Sequence, residues 1–315
     1  MTSGDDQALY LLPFDHRHSY ITGMFQFTPP LSAQQHAQVC ESKQIIYEGF
    51  QLAVEAGVPR EAAGILVDEA FGSAVLREAH RRGFITALST ESSGSEEFNF
   101  EYGDDFARHI DAFAPTFAKA LVRYNPEGDH ALNLRQTARL KLLSDFCRAS
   151  GRGFMFELLV PATAQQLAAL QGDRAAYDLT LRPKLMVDAI HALQDAGIAP
   201  DLWKIEGLAE RADCVRMVEA VRRGGRTSVN CIVLGRGADV ASVRGWLATA
   251  ASVPGFIGFA VGRTSFWDAI AAYRAQRLTR VAAAKQIAGR LLEWVDVFER
   301  GRLARETSAG AAGAS

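Results

Sequence analysis

The chain is short of lysine. Six lysines stand against twenty-eight arginines in 315 residues, so lysine is not its default surface cation. Cysteine is sparse too, and the four present (Cys40, Cys147, Cys214, Cys231) are widely scattered. No CxxC or other metal-type spacing occurs, so reduced thiols in a cytoplasmic protein are expected. A strong charge imbalance is missing: the formal net charge of −2 argues against a nucleic-acid or membrane-surface partner. No apolar run approaches the ~20 residues needed to cross a bilayer. The opening Met1-Thr2-Ser3-Gly4-Asp5-Asp6 is acidic and lacks the basic-then-apolar order of a signal peptide. What the chain does have is 48% hydrophobic residues, enough for one large domain or two ordinary ones.

Strand-like and helix-like segments alternate eight times. Short apolar runs at 8–14, 64–68, 84–90, 116–124, 153–160, 201–206, 229–234 and 255–261 read as parallel strands covered on both faces. Segments at 33–56, 73–82, 104–114, 132–149, 180–196, 209–223, 239–251, 265–273 and 281–299 carry apolar residues at helical spacing. This pattern predicts an α/β fold, a single (β/α)8 TIM barrel over residues 8–300. A doubly wound open sheet is the alternative, but no GxGxxG follows the first strand. Residues 1–7 are expected to be flexible. The Ala/Gly/Ser-rich end of the segment 301–315 predicts a disordered tail. Helix-to-strand connections are short, whereas strand-to-helix ones such as 15–32, 91–103 and 161–179 are long. In barrel enzymes the latter form the active face.

Lys204 sits inside Asp201-Leu202-Trp203-Lys204-Ile205-Glu206, where a lone ammonium would lose its hydration. Burial lowers a lysine's pKa, and the neutral amine can then attack a carbonyl. Strand alternation decides which side chains meet. The Trp203/Ile205 face suits helix packing, which turns Lys204 into the barrel. The same parity groups Lys119 with Leu121 and Arg123, and Glu157 with Met155 and Leu159. Two lysines and a glutamate on three neighbouring inner faces point to a site, with Lys119 depressing the Lys204 pKa and Glu157 shuttling protons. The plain alternative is a buried ion network that only fills the barrel.

The first strand ends in Phe14-Asp15-His16-Arg17-His18. Asp15 at the mouth can bind a hydroxyl or orient a lysine, or simply cap a turn. A metal set of Asp15, His16 and His18 is a further alternative. Gly235-Arg236-Gly237 and Gly262-Arg263 follow the seventh and eighth strands, the corner where barrels bind phosphate. The other reading makes both arginines surface ion-pair partners. Glu91 ends the third strand. The acidic and aromatic stretch after it reads equally as a lid or a solvated loop.

Taken in order, these segments resemble the class I, Schiff-base aldolases of the tagatose-bisphosphate aldolase type. Pro13-Phe14-Asp15-His16-Arg17 resembles their strand-one Phe-Asp-Gln-Arg. Val67-Asp68-Glu69-Ala70-Phe71-Gly72 resembles the second-strand acidic-Tyr-Gly segment. Ala118-Lys119-Ala120-Leu121-Val122-Arg123-Tyr124 and Phe156-Glu157-Leu158-Leu159 are similar to strands four and five. Trp203-Lys204-Ile205-Glu206 is similar to Leu-Lys-Val-Glu, whose lysine forms the imine. Gly262-Arg263-Thr264-Ser265-Phe266-Trp267 resembles the phosphate-binding Gly-Arg-Ala-x-Trp. The opening Leu11–Tyr20 resembles one branch more closely. This is the 2-deoxy-5-keto-gluconate-6-phosphate aldolase domain fused behind the sugar kinase of bacterial myo-inositol catabolism.

The resemblance implies cofactor- and metal-free cleavage of 5-dehydro-2-deoxygluconate 6-phosphate to dihydroxyacetone phosphate and malonate semialdehyde. It makes Lys204 the imine-forming lysine, Glu157 the proton shuttle, and Asp15, His16, Arg17 and Glu91 contacts to substrate oxygens. Gly235, Arg236, Gly262 and Arg263 would hold the phosphate. A domain standing without the kinase is expected, as a homo-oligomer or functionally linked to a sugar kinase. His16 stands where the tagatose pattern has Gln, and Ser92 where a lysine follows the third-strand glutamate. Both bear on recognition of one sugar end. Other readings are a tagatose-1,6-bisphosphate or sulfosugar-phosphate aldolase, a metal-dependent aldolase or isomerase, and a non-catalytic barrel partnering the kinase.

Overall fold

A computed structural model of the chain describes residues 7–312. Eight parallel strands close into one barrel in the order of the sequence. They are β1 (Leu9–Pro13), β2 (Ala63–Val67), β3 (Ile85–Ser89), β4 (Phe117–Arg123), β5 (Gly153–Leu159), β6 (Leu202–Glu206), β7 (Asn230–Leu234) and β8 (Phe256–Ala260). The helices α1 (Ala33–Glu55), α2 (Glu69–Arg81), α3 (Phe106–Phe113), α4 (His130–Ser150), α5 (Arg182–Asp195), α6 (Arg211–Val221), α7 (Val240–Ala251) and α8 (Arg263–Arg274) alternate with them. A ninth helix, α9 (Arg280–Ala312), follows. The (β/α)8 barrel expected from the apolar runs is therefore the fold.

Two apolar layers follow from strand parity. Tyr10, Leu12, Trp203 and Ile205 point outward and pack under the helices. Leu9, Leu11, Leu66, Ala87, Met155, Leu202, Ile232 and Ala260 point inward and plug the N-terminal half of the barrel. The alternation places Lys119, Glu157 and Lys204 inside the barrel above this plug. Register sets them relative to one another: Glu157 pairs with Lys204 and with Leu121, while Lys119 pairs with Met155, one pleat below.

Local signals set most helix starts. Ser32 and Gln35 form a reciprocal capping box at α1. Asp68 accepts from the Phe71 N–H, which starts α2 at Glu69, four residues before the expected Ser73. Short helical turns that periodicity did not suggest fill two long mouth loops, at His18–Phe25 and Ala164–Leu181.

The expected tail at 301–315 is corrected. The last helix continues to Ala312, while residues 313–315 lie outside the described residues. Its Ala-rich end extends a helix that already exists, so no nucleation cost arises. Gly49 of α1 has no room for a side chain, since a Cβ would meet Ile287 at 2.7 Å, and this lets α9 lie close against α1. Of the expected flexible start, residues 1–6 lie outside the described residues. Gln7 is exposed, and its side chain donates to the Glu61 carbonyl at 3.1 Å. Among the described residues no helix is long and apolar enough to cross a membrane.

Candidate active site

Three of the six lysines, Lys43, Lys119 and Lys204, are buried at or beneath the barrel mouth. Lys119 Nζ donates to Asp15 Oδ2 and to Glu91 Oε1, each at 2.8 Å. Glu157 Oε2 is a third carboxylate contact at 2.8 Å, and that oxygen has no donor aligned on it. On its other oxygen, Glu157 meets Lys204 Nζ at 2.8 Å. Asp15, Glu91, Lys119, Glu157 and Lys204 thus form one chain of alternating charge across β1, β3, β4, β5 and β6. Both lysines and all three acids expected from the sequence as site residues are brought together.

The roles divide by accessibility. Lys119 is fully buried, and its three donors face three carboxylates. Burial works against its charge, but Asp15, Glu157 and Glu91 outweigh burial and raise its pKa above the ordinary lysine value. Lys119 is therefore a fixed ammonium with its charge compensated. Lys204, by contrast, lines the open cavity together with Glu157. Burial also disfavours the Asp15 and Glu157 carboxylates. Lys119 first, and then Lys204, overcome it and hold both below the usual range.

His16 is a neutral imidazole. Burial pushes its pKa down to about 4, with Arg263, Lys204 and Lys43 adding to the effect against Asp15. Its ring stands edge-on to Phe266, and the buried Nδ1 lacks a partner. A ligand hydroxyl is the natural complement to that nitrogen.

Arg17, expected to bind substrate oxygens, lines this mouth with two of its nitrogens turned to the protein and its buried Nε unpartnered. It donates to the Glu91 carbonyl and pairs with Glu101 at 3.0 Å. It therefore positions Glu91 within the 90–105 loop. That loop is folded back on itself by a Glu91–Phe100 bridge, and Glu97 is pinned by Arg135 and Arg139. Among the described residues, no three His, Cys, Asp or Glu side chains converge as metal ligands. In the alternative Asp15/His16/His18 set, Asp15 turns to Lys119.

The mouth has two lobes that meet at Lys204, Glu157, His16, Leu121 and Arg123. One, about 310 Å³, runs under the 91–98 loop. The other, about 440 Å³, opens toward Gly235, Arg236, Gly237, Gly262 and Arg263. Arg236 adopts a left-handed backbone (φ 52°) between its two glycines. Its guanidinium meets Glu206 at 3.0 Å and Asp178 at 3.1 Å. Two carboxylates thus hold a side chain expected to bind phosphate.

Arg263 differs. It lies over the Trp267 ring at 4.5 Å, and burial lowers its pKa with no opposing acid. It begins α8, whose first N–H groups have no partner within the helix. Thr264 donates to the Ala238 carbonyl at 2.8 Å and ties the two glycine turns together. Gly262 is required here, since a Cβ would lie 2.1 Å from the Pro13 carbonyl oxygen. Gly262→Ala is expected to cost about 2 kcal/mol or more through this clash. Equilibrium denaturation checks it, and unchanged stability would show that β1 yields.

Sequence reasoning missed two groups. Lys43 on α1 is paired with Asp68 and fully buried, and burial lowers its pKa to about 7 against the pull of Asp15. A scarce lysine among Val39, Ile46 and Phe50 was the available signal. The second is Arg182, which bonds Asp178 at 2.9 Å and the Gly207 carbonyl at 3.1 Å behind Arg236.

Solved structures share the closed (β/α)8 barrel. A fructose-bisphosphate aldolase from Plasmodium falciparum, solved with TRAP and a small-molecule inhibitor, superposes with a TM-score of 0.63 at 14% identity over 94% of this chain and 92% of that one. A Schiff base-forming fructose-1,6-bisphosphate aldolase gives 0.53 at 12% identity, covering 91% and 95%. A structural-genomics protein from Corynebacterium glutamicum gives 0.56 at 17%, covering 91% and 86%. At such identities the likeness is one of fold. The chain belongs to the family described as "Uncharacterized protein conserved in bacteria (DUF2090)", which matches residues 2–302. No curated protein matches it in sequence.

Proposed function

We propose that this protein is a class I aldolase that cleaves a keto-sugar acid phosphate through an imine on Lys204. The observation that carries the reading is the Lys204–Glu157 pair, 2.8 Å apart where the two lobes meet. The substrate that best fits the resemblance is 5-dehydro-2-deoxygluconate 6-phosphate. The free Arg263 and the first turn of α8 would receive its phosphate.

In this scheme Lys204 passes its ammonium proton to Glu157, 2.8 Å away, and the neutral amine attacks the ketone at C5. Glu157 returns that proton to the carbinolamine oxygen, so water leaves, an iminium forms, and Glu157 is again a carboxylate beside a cation. The C3–C4 bond then breaks. Its electron pair moves into the iminium to give an enamine, and the C3 hydroxyl proton passes to Glu157. Malonate semialdehyde leaves. Protonation of the enamine and hydrolysis by water release dihydroxyacetone phosphate and regenerate the lysine. The fixed Lys119 ammonium and the neutral His16 supply hydrogen-bonding and field, not covalent chemistry.

The test is borohydride reduction in the presence of dihydroxyacetone phosphate. The expected result is a stable adduct on the Lys204 peptide by mass spectrometry. An active preparation that gives no adduct, or one that loses activity with chelator, would overturn the mechanism.

A further inference from the structure

The mouth holds several cations, and most are spent on the protein's own acids. Lys119 faces three carboxylates, Arg17 pairs with Glu101, and Arg236 with Glu206 and Asp178. Two arginines remain. One is Arg263 after β8, without a carboxylate. The other is Arg123, the last residue of β4.

Arg123 points into the barrel by the same parity as Lys119. It pairs with Leu159, one pleat above the Leu121–Glu157–Lys204 row, and lines both lobes. Its Nη1 donates to the Ser95 carbonyl at 3.1 Å. Among the described residues its acidic contact is Glu96, at 3.6 Å and 84% exposed. Such a solvated pair is weak and easily exchanged. In a closed eight-stranded barrel, β4 and β8 stand on opposite sides, with β5 and β6 between them. The two available guanidinium groups therefore flank Lys204 and Glu157 from opposite walls.

The two walls are not alike. Around Arg263 are glycine turns and a helix start, the multiple donors that a phosphate takes. Beside Arg123 the lobe is lined by Glu91, Glu96 and Glu97 with four serines, and the helical turn that begins there, at His18, is only three residues long. One guanidinium among acids suits a single-charged planar group better than a phosphate.

We propose that Arg123 binds a carboxylate at the end of the substrate remote from the phosphate and so selects keto-acid phosphates over those with an uncharged end. This inference rests on the aldolase reading and adds to it the residue that determines specificity. The carboxylate displaces Glu96 and takes the guanidinium as a fork.

The experiment runs the reaction in the condensation direction. Dihydroxyacetone phosphate is paired with malonate semialdehyde, with propionaldehyde, or with glyceraldehyde 3-phosphate. The readout is the kcat/KM ratio of the carboxylate aldehyde to the neutral one in wild type, Arg123→Gln and Arg123→Lys. Arg123→Gln is expected to lower the ratio by about 10–100-fold, the scale of a charge-assisted hydrogen-bonded pair, with partial recovery in Arg123→Lys. An unchanged ratio overturns the proposal. So does a dependence on Arg123 confined to the phosphorylated aldehyde, which would make this a second phosphate site. Wild type is trapped with borohydride in parallel. An adduct with an unchanged ratio defeats only the Arg123 role, whereas no adduct defeats the aldolase reading and this inference with it.

Discussion

Lys204→Met is expected to lower turnover on the keto-acid phosphate by on the order of 10^4-fold or more, the scale of losing an essential nucleophile. The protein should stay folded, for two reasons. Methionine is unbranched and of similar length, so it fits the lysine's path through the inner face of β6. Glu157 also keeps a cation, because Lys119 remains 2.8 Å from its other oxygen. Lys204→Arg is expected to lose as much activity, since a guanidinium retains the charge but does not attack carbonyls at neutral pH. Steady-state turnover with a parallel thermal melt checks both variants. Cleavage within tenfold of wild type in Lys204→Met would remove this lysine from the chemistry. A variant that is inactive on sugar phosphates yet fully supports the cell's sugar metabolism would favour the non-catalytic, kinase-partner reading.

The choice of Lys204 over its two buried relatives rests on what each amine touches. Lys119 has three carboxylates within 2.8 Å, and neutralising it would remove the cation they share. Lys43 is paired with Asp68 behind the mouth and lines neither lobe. Lys204 alone of the three combines one acidic partner with a wall of the cavity.

Much of this was legible in the sequence because a parallel barrel writes its strands plainly. Each strand is a short apolar run, so a charged residue inside one stands out. Parity then says which charges share the interior. Lys119, Glu157 and Lys204 needed no more than that. Asp15 and Glu91 were found as the ends of β1 and β3, where chemistry is expected. What alternation does not report is how far a loop side chain reaches. Arg17 and Arg236 looked like ligand-binding cations, yet Glu101 and Asp178, each on another loop, hold them. Those pairings depend on distances between segments remote in sequence. The helical turns at 18–25 and 164–181 were invisible for a related reason: they are too short to show a period. At the C-terminus, low complexity suggested disorder, whereas Ala-rich sequence appended to a packed helix prolongs it.

Lys119→Met is expected to be the most destabilising single change at the mouth, by roughly 3–5 kcal/mol at pH 7, the cost of breaking a buried ion pair by removing one partner. The wild-type pH profile follows from the shifts. Asp15 and Glu157 are held below the ordinary carboxylate range in the folded protein. Their contribution is complete above the unfolded pKa near ~4 and is lost as pH falls through the lower folded values. Lys119 is held above the ordinary lysine value. Its contribution is complete below about 10 and is lost as pH rises through the higher folded value. These three groups contribute a constant amount across neutral pH, whereas buried His16 and Lys43 make wild-type stability climb with pH, His16 between about 4 and 6.5 and Lys43 between about 7 and 10.5. Without Lys119, burial is left as the main influence on Asp15 and raises its proton affinity. Folding then takes up a proton, so the variant should gain stability as pH falls from 7 to 5, the reverse of acid sensitivity. Denaturant melts at pH 5, 7 and 9 read both the depth of the loss and its slope. A small loss at pH 7, or a pH profile parallel to that of wild type, would mean that the three carboxylates find other partners and that Lys119 is not the hub of the site.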